Sequence, residues 1–226
     1  MSRATSHRRS RGGTRRLMLV AGVVLILCGL GVAGYVGWQY WGTNVVSHRH
    51  QTAAVKELRQ AWHDGQAEAR TDVGTANAII EIPRFGASYA VPVFSGTSDA
   101  VLASGYGNYT SSAAPGAVGN YTLAAHRVTH GEPLRRMKEL RVGDEVRVVT
   151  RTTTYVYTLT TAGSALTVPF SASWVLDPLP ENPDGGVEPA QQAKQALLTL
   201  TTCAELFHTD ERLVAFGVLT STHGTP

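Results

Sequence analysis

The sequence predicts an all-β domain, a closed barrel or a sandwich, set behind one membrane-spanning helix. Three observations carry this reading. An uncharged apolar run lies near the N-terminus, short segments after residue 78 alternate with period two, and glycine- and proline-rich turns divide those segments.

The apolar run comes first. Arg3, Arg8, Arg9, Arg11, Arg15 and Arg16 precede any acidic residue, and residues 17–42 carry no charge. At about 1.5 Å per residue, roughly 20 helical residues cross a hydrocarbon core about 30 Å thick. Tyr35, Trp38, Tyr40 and Trp41 stand where an interfacial belt belongs. The arginines predict residues 1–16 as a cytoplasmic tail, 17–42 as a single-pass anchor in the cell membrane, and the rest as extracellular. A cleaved signal peptide fits less well, because the run is too long for an h-region and no A-x-A-like site closes it.

Charge follows the same division. The chain is +3, from 20 basic and 17 acidic residues, and six of the basic ones precede Leu17. The remainder holds 14 against 17, or −3. The basicity belongs to the tail, so charge gives no ground for a nucleic-acid partner.

Residues 43–77 read as a juxtamembrane helix and linker, with Val55, Leu58 and Trp62 scattered through a polar segment and the linker at 71–77. Residues 78–221 form one domain large enough to bury a core without disulfides. Residues 2–14 and the tail at 222–226 are expected to lack structure. Alternation predicts strands at Ile79-Ile80-Glu81-Ile82, 142–149, Tyr155-Val156-Tyr157-Thr158-Leu159, 196–200 and 213–219. Short helices are predicted over 98–103, 133–140 and 189–195. Many short strands with few helices are the pattern of barrels and sandwiches.

Two strands end in reactive side chains. Asn120-Tyr121-Thr122-Leu123-Ala124-Ala125 delivers His126, residues 196–202 deliver Cys203, and Arg212 opens the strand Leu213-Val214-Ala215-Phe216. Cys28 lies inside the span, which leaves Cys203 a lone thiol outside the membrane. A thiol near its ordinary pKa of about 8.5 is mostly neutral at neutral pH and needs a nearby base or cation to act as a nucleophile. An imidazole can protonate a leaving amine, and a guanidinium can hold a carbonyl or stabilise an oxyanion. Each residue alone also has a plain reading: a small buried hydrophobe, one of eight histidines, a solvated charge.

In combination they resemble the sortases. Thr199-Leu200-Thr201-Thr202-Cys203 matches the family's TLxTC signature, Leu123-Ala124-Ala125-His126 resembles its histidine segment, and Arg212-Leu213-Val214 resembles its arginine-bearing last strand. The resemblance covers residues 78–219 and extends to the N-terminal anchor. It implies a closed eight-stranded β-barrel with short helices, and a cysteine transpeptidase with catalytic His126, Cys203 and Arg212. Such enzymes cleave a C-terminal sorting signal between Thr and Gly through a thioacyl intermediate. They join the cargo to an amine, on a peptidoglycan precursor or a pilin lysine, and also show hydrolytic peptidase activity. Tyr121, five positions before His126, resembles the tyrosine of class E sortases from Gram-positive actinobacteria, which prefer LAXTG to LPXTG. That likeness implies that Tyr121 lines the pocket for the signal's alanine, while Thr201 and Thr202 are candidates for shaping it.

The sequence departs from the family at two points. Ala125 replaces the glycine usual before the histidine, and Ala204-Glu205 follows the cysteine where class E chains often have a polar residue and proline. His130 and His208 are rival bases and Arg127 a rival guanidinium. No metal or other cofactor is expected. Glu181, Asp184 and Glu188 lack calcium-loop spacing and read as a solvated loop. An L,D-transpeptidase is the alternative enzyme, disfavoured by Thr202 before the cysteine and the long histidine-to-cysteine interval. A non-catalytic membrane-anchored β-barrel binding module is the remaining alternative.

Overall fold

Eight strands of the chain close on themselves in a ring, in the order 74–81, 91–95, 106–108, 119–124, 196–203, 211–224, 153–159, 145–149 and back to 74–81. The computed structural model describes residues 11–38, 42–203 and 210–225, with Cys203 placed by its backbone. Two units divide after Gly42. The first contains α1 (Arg11–Gly37), whose residues 16–37 are long and apolar enough to cross a membrane. Its leucines and valines are exposed. An apolar surface on every side is what a lipid environment accommodates.

The second unit opens with α2 (Thr43–His63). The strands follow: β1 (Ala69–Thr71), β2 (Gly74–Glu81), β3 (Val91–Ser95), β4 (Tyr106–Asn108), β5 (Gly119–Ala124), β6 (Glu145–Val149), β7 (Thr153–Leu159), β8 (Leu166–Pro169), β9 (Ala196–Cys203) and β10 (Glu211–Gly224). β1 forms a hairpin on β2, and β8 pairs with the start of β10. Closure at Ile79↔Val149 and Ile80↔Val148 leaves the ring no open edge.

Alternation along the strands fills the interior. Ile80, Tyr121, Leu123, Val148, Tyr157, Leu198, Leu200 and Leu213 form the barrel core. On the outside, Ala54, Val55 and Leu58 of α2 pack on Ala76 and Ile79 of β2 and Phe94 of β3. The apolar positions of the juxtamembrane segment thus cover the barrel wall. A third cluster, Leu166, Val168, Val175, Val214 and Phe216, covers the outer face of β10.

Several elements differ from expectation. Residues 71–77 lie mostly in the β1–β2 hairpin, and β10 runs on to Gly224. The 98–103 helix is present as α3 (Asp99–Leu102), capped by Ser98, and 133–140 contributes a short 3-10 turn at Met137–Glu139. No helix forms over 189–195. β3 escapes a sequence reading because Pro92 argues against a central strand, yet the β3–β4 ladder begins only at Val93, beyond the proline. β4 escapes because Gly105-Tyr106-Gly107 looks like a turn. Gly107 is instead a close approach, since a Cβ there would lie 2.5 Å from the Gly96 carbonyl oxygen.

Candidate active site

Most neighbours in the ring are antiparallel, but β5 and β9 run parallel, in register from Gly119↔Ala196 to Ala124↔Thr201. Parallel neighbours end at the same rim. His126 follows β5, and Cys203 ends β9, each two residues beyond the Ala124↔Thr201 pair. β10 runs back from that rim, and its Arg212 pairs directly with Cys203. Directly paired Cα atoms in an antiparallel ladder lie about 4.5–5.5 Å apart. The long crossover from β5 to β9 thereby brings residues distant in sequence to one edge.

Thr202 ties the two strand ends together. Its hydroxyl donates to the Ala125 carbonyl at 2.7 Å, and the Ala125 N–H donates to the Thr201 carbonyl at 3.2 Å. Ala125, the departure from glycine, has its methyl group in the barrel core. The Thr201 hydroxyl is buried and has no hydrogen-bond partner among the described residues. Deeper along the strands, Thr199 donates to Asn120 Oδ1 at 2.8 Å. The Asn120 amide donates to the carbonyls of Val175 and Asp177 at 3.1 and 3.0 Å, which fastens the β8–β9 connection to the paired strands.

Arg212 is half-buried and oriented by two aromatic residues absent from the sequence-derived set. Its Nη1 donates to the Tyr109 hydroxyl at 3.2 Å, and its guanidinium lies 3.1 Å from the Phe170 ring centroid. Cation–π contact and the phenol fix the plane of the fork. Tyr109 was hidden in a glycine-rich stretch that reads as a loop. Phe170 was hidden just past β8, a strand the alternation did not reveal.

Tyr121 occupies a different place. It is 2 % exposed, faces the barrel core and pairs in register with Leu198. Burial raises its phenol pKa well above the ordinary value. At about 3.3 Å per residue it stands roughly 17 Å along the chain from His126, toward the other rim. There it borders a cavity of about 420 Å³ with Asn108, Pro115 and Thr150. Thr201 and Thr202 lie at the His126 rim, and Tyr121 does not join them.

The rival groups also have positions. The His130 ring packs on the His126 ring, with centroids 4.9 Å apart and planes tilted by 31°. Burial lowers the His130 pKa, against a smaller opposing pull from Asp99. Arg127 follows His126 in the same loop, whereas Arg212 holds the register position of Cys203. His208, Ala204 and Glu205 lie outside the described residues, as do Tyr40 and Trp41.

A ring of eight strands whose parallel β5–β9 pair presents a histidine and a cysteine, with an arginine opening the next strand, has a counterpart in sequence. A model of the sortase domain matches residues 80–220, and the chain belongs to the sortase family. Within it the chain is class E-like. It is 32 % identical over 229 residues to Sortase SrtE1 of Streptomyces coelicolor, covering 96 % of this chain and 62 % of that one. The chain therefore spans less than two thirds of that relative's length. The structure of sortase E from Streptomyces avermitilis superimposes with a TM-score of 0.58 at 33 % identity, over 68 % of this chain and 93 % of that one. Sortase E1 from S. coelicolor, solved with a tripeptide in the active site, gives a TM-score of 0.54 at 28 % identity, over 69 % and 94 %. Family membership sets aside the L,D-transpeptidase reading.

Proposed function

We propose that the chain is a membrane-anchored cysteine transpeptidase that accepts LAXTG-like sorting signals and transfers the cargo to an amine of a peptidoglycan precursor or a pilin lysine. α1 serves as the anchor, with the arginine-rich N-terminus cytoplasmic and the barrel outside. The observation that carries the reading is the shared rim: β5 and β9 end together at His126 and Cys203, and Arg212 pairs with Cys203.

In this mechanism the Cys203 thiolate attacks the carbonyl carbon between Thr and Gly, and the carbonyl π electrons move to oxygen. Arg212, held by Tyr109 and Phe170, faces the resulting oxyanion with a charged donor. The C–N bond then breaks, and the imidazolium of His126 gives its proton to the departing glycine amine. The acceptor amine attacks the thioester, returns a proton to His126 and expels Cys203 as thiolate. His130 supports this cycle by staying neutral: burial disfavours its charge, so no second cation lies against a charged His126. Thr202 positions His126 through the Ala125 carbonyl, and the buried Thr201 hydroxyl shapes the floor beside Cys203. Tyr121 contributes to the alanine preference from inside the wall, by fixing the β5–β9 face from beneath.

The test incubates the full chain in detergent with LAXTG and LPXTG peptides and an amine, following the ligated product. Transfer by the wild type and none by Cys203→Ala is expected. Transfer that survives Cys203→Ala, or none with either peptide, overturns the enzyme reading and leaves the binding module. A preference for LPXTG overturns only the alanine preference.

A further inference from the structure

We propose that Asn44, on the first turn of α2, is a positioning residue for His126, acting through the loop at residues 127–133. The inference rests on the proposed role of His126. It draws in a residue outside the segment matched by the sortase domain, residues 80–220.

The loop has an unusual backbone. His130, Gly131 and Glu132 are consecutive and all have positive φ, +56°, +77° and +47°. Only glycine adopts that region freely, so two of the three residues are held against their preference. Such a run persists where its surroundings over-determine it. The loop is also directly coupled to the site, because the Leu134 N–H donates to the His126 carbonyl at 3.0 Å and the His130 ring packs on the His126 ring at 4.9 Å.

The surroundings that hold it come from α2. Asn44 uses both ends of its amide: Oδ1 accepts from the Gly131 N–H at 2.9 Å, and Nδ2 donates to Glu132 Oε1 at 2.7 Å. One turn pair further along, Gln51, only 4 % exposed, donates to the His130 carbonyl at 3.4 Å. The fit is close, since a Cβ on Gly131 would lie 2.4 Å from Gln51 Nε2. Arg135 secures the other carboxylate oxygen of Glu132 at 2.6 Å. α2 is itself immobilised by Ala54, Val55 and Leu58 on the barrel wall. A continuous line of contacts therefore runs from the wall through α2 and Asn44 to the left-handed run, His130 and His126. Through this line Asn44 bears on the three proposed catalytic residues by way of His126. It sets the angle at which one of them is presented.

The experiment compares full-length variants in detergent by acyl-transfer kinetics and by hydrogen exchange of residues 127–133. Asn44→Ala should lower kcat about tenfold, the scale of a small misplacement of a reacting group, with KM within about twofold. Exchange in 127–133 should quicken while the barrel strands stay protected. Asn44→Asp keeps the acceptor for Gly131 but sets a carboxylate against Glu132, and should show the same loss. Adding Glu132→Gln to Asn44→Asp restores the bond with donor and acceptor exchanged, and should return kcat to within about threefold of wild type. Should Asn44→Ala fail to fold, the Asn44→Asp single and double variants carry the test. Unaltered exchange in 127–133, an unaltered kcat, or a double variant no better than the single overturns the proposal. The role of His126 is checked separately by His126→Ala: transfer retained there refutes the catalytic reading, while the exchange data still decide whether Asn44 holds the loop.

Discussion

The two rims of the barrel are made by the same strands and put tyrosines, glycines and charges to opposite uses. At one rim β5 and β9 end and β10 begins, so backbone pairing stops just where His126, Cys203 and Arg212 stand. Loops supply what the ladder no longer does: Tyr109 and Phe170 orient Arg212, and α2 holds the loop of His130. At the other rim the chain is closed off. The Tyr157 hydroxyl accepts from the Gly116 N–H at 2.8 Å, and Gly116, with φ +77°, leaves no room for a Cβ beside the Tyr155 ring. Burial pushes the Tyr157 phenol up to about 12. One rim carries the three proposed catalytic residues, and the other turns its polar groups on its own wall.

Substitutions that separate activity from stability test this contrast. The largest effect is expected at Arg212. Arg212→Lys keeps the charge but loses the planar fork stacked on Phe170 and bonded to Tyr109. Acyl transfer should fall about 10²–10³-fold, the range for loss of an oxyanion donor, with little change in melting temperature. A lysine variant within a few-fold of wild type would show that charge alone suffices and that the aromatic frame is incidental. Leu200→Ala, on the inward face of β9, should do the reverse. Leu200 is fully buried in the barrel core, so truncation should cost about 2–5 kcal/mol in chemical denaturation.

How legible each rim was in the sequence follows from the same contrast. Strands that fill the core, such as β2, β7 and β10, are dense in apolar and β-branched residues and are visible in the sequence. β3 and β4 are not, because Pro92 and Gly107 are placed by what lies beside them rather than by strand preference. Cys203, His126 and Arg212 stand out as candidates because each follows or begins an apolar run within a recognisable motif. Tyr109, Phe170 and Asn44 act through contacts made across the fold, 103 residues apart for Tyr109 and Arg212 and 87 for Asn44 and Gly131, and no local pattern marks such pairs. Tyr121 shows the converse. Spacing from His126 marked it, but strand parity sends its ring into the core rather than toward Thr201.

Thr202 lies between the two behaviours, since its hydroxyl both joins the strand ends and holds the residue before His126. Thr202→Val keeps the shape and removes the bond to the Ala125 carbonyl. A loss of about 1–3 kcal/mol, as for a buried acceptor left unpaired, should accompany a fall in kcat. Tyr157→Phe at the closed rim should cost about 1 kcal/mol and leave transfer unchanged. Impaired transfer by Tyr157→Phe would mean that the rims are coupled and the contrast is wrong.

The smallest effect is a dependence on acid. Asp144, before β6, lies at the same rim as His126, on the opposite wall. Its carboxylate accepts from the Arg84 guanidinium, including Nη2 at 2.7 Å, and from the Arg141 N–H at 2.8 Å. The Arg84 hydrogen bond holds the Asp144 pKa below the ordinary value, with burial opposing it. A pKa lower in the folded than in the unfolded chain means that the unfolded chain takes up the proton first. The stabilisation is complete above about pH 4, the unfolded value, and is lost as pH falls through the folded one. Thermal melts of wild type and Asp144→Asn should therefore differ at neutral pH and converge below about pH 4. Curves that stay parallel across that range would show that the pair contributes through packing rather than charge. This rim would then owe its order to neutral contacts, as the closed rim does.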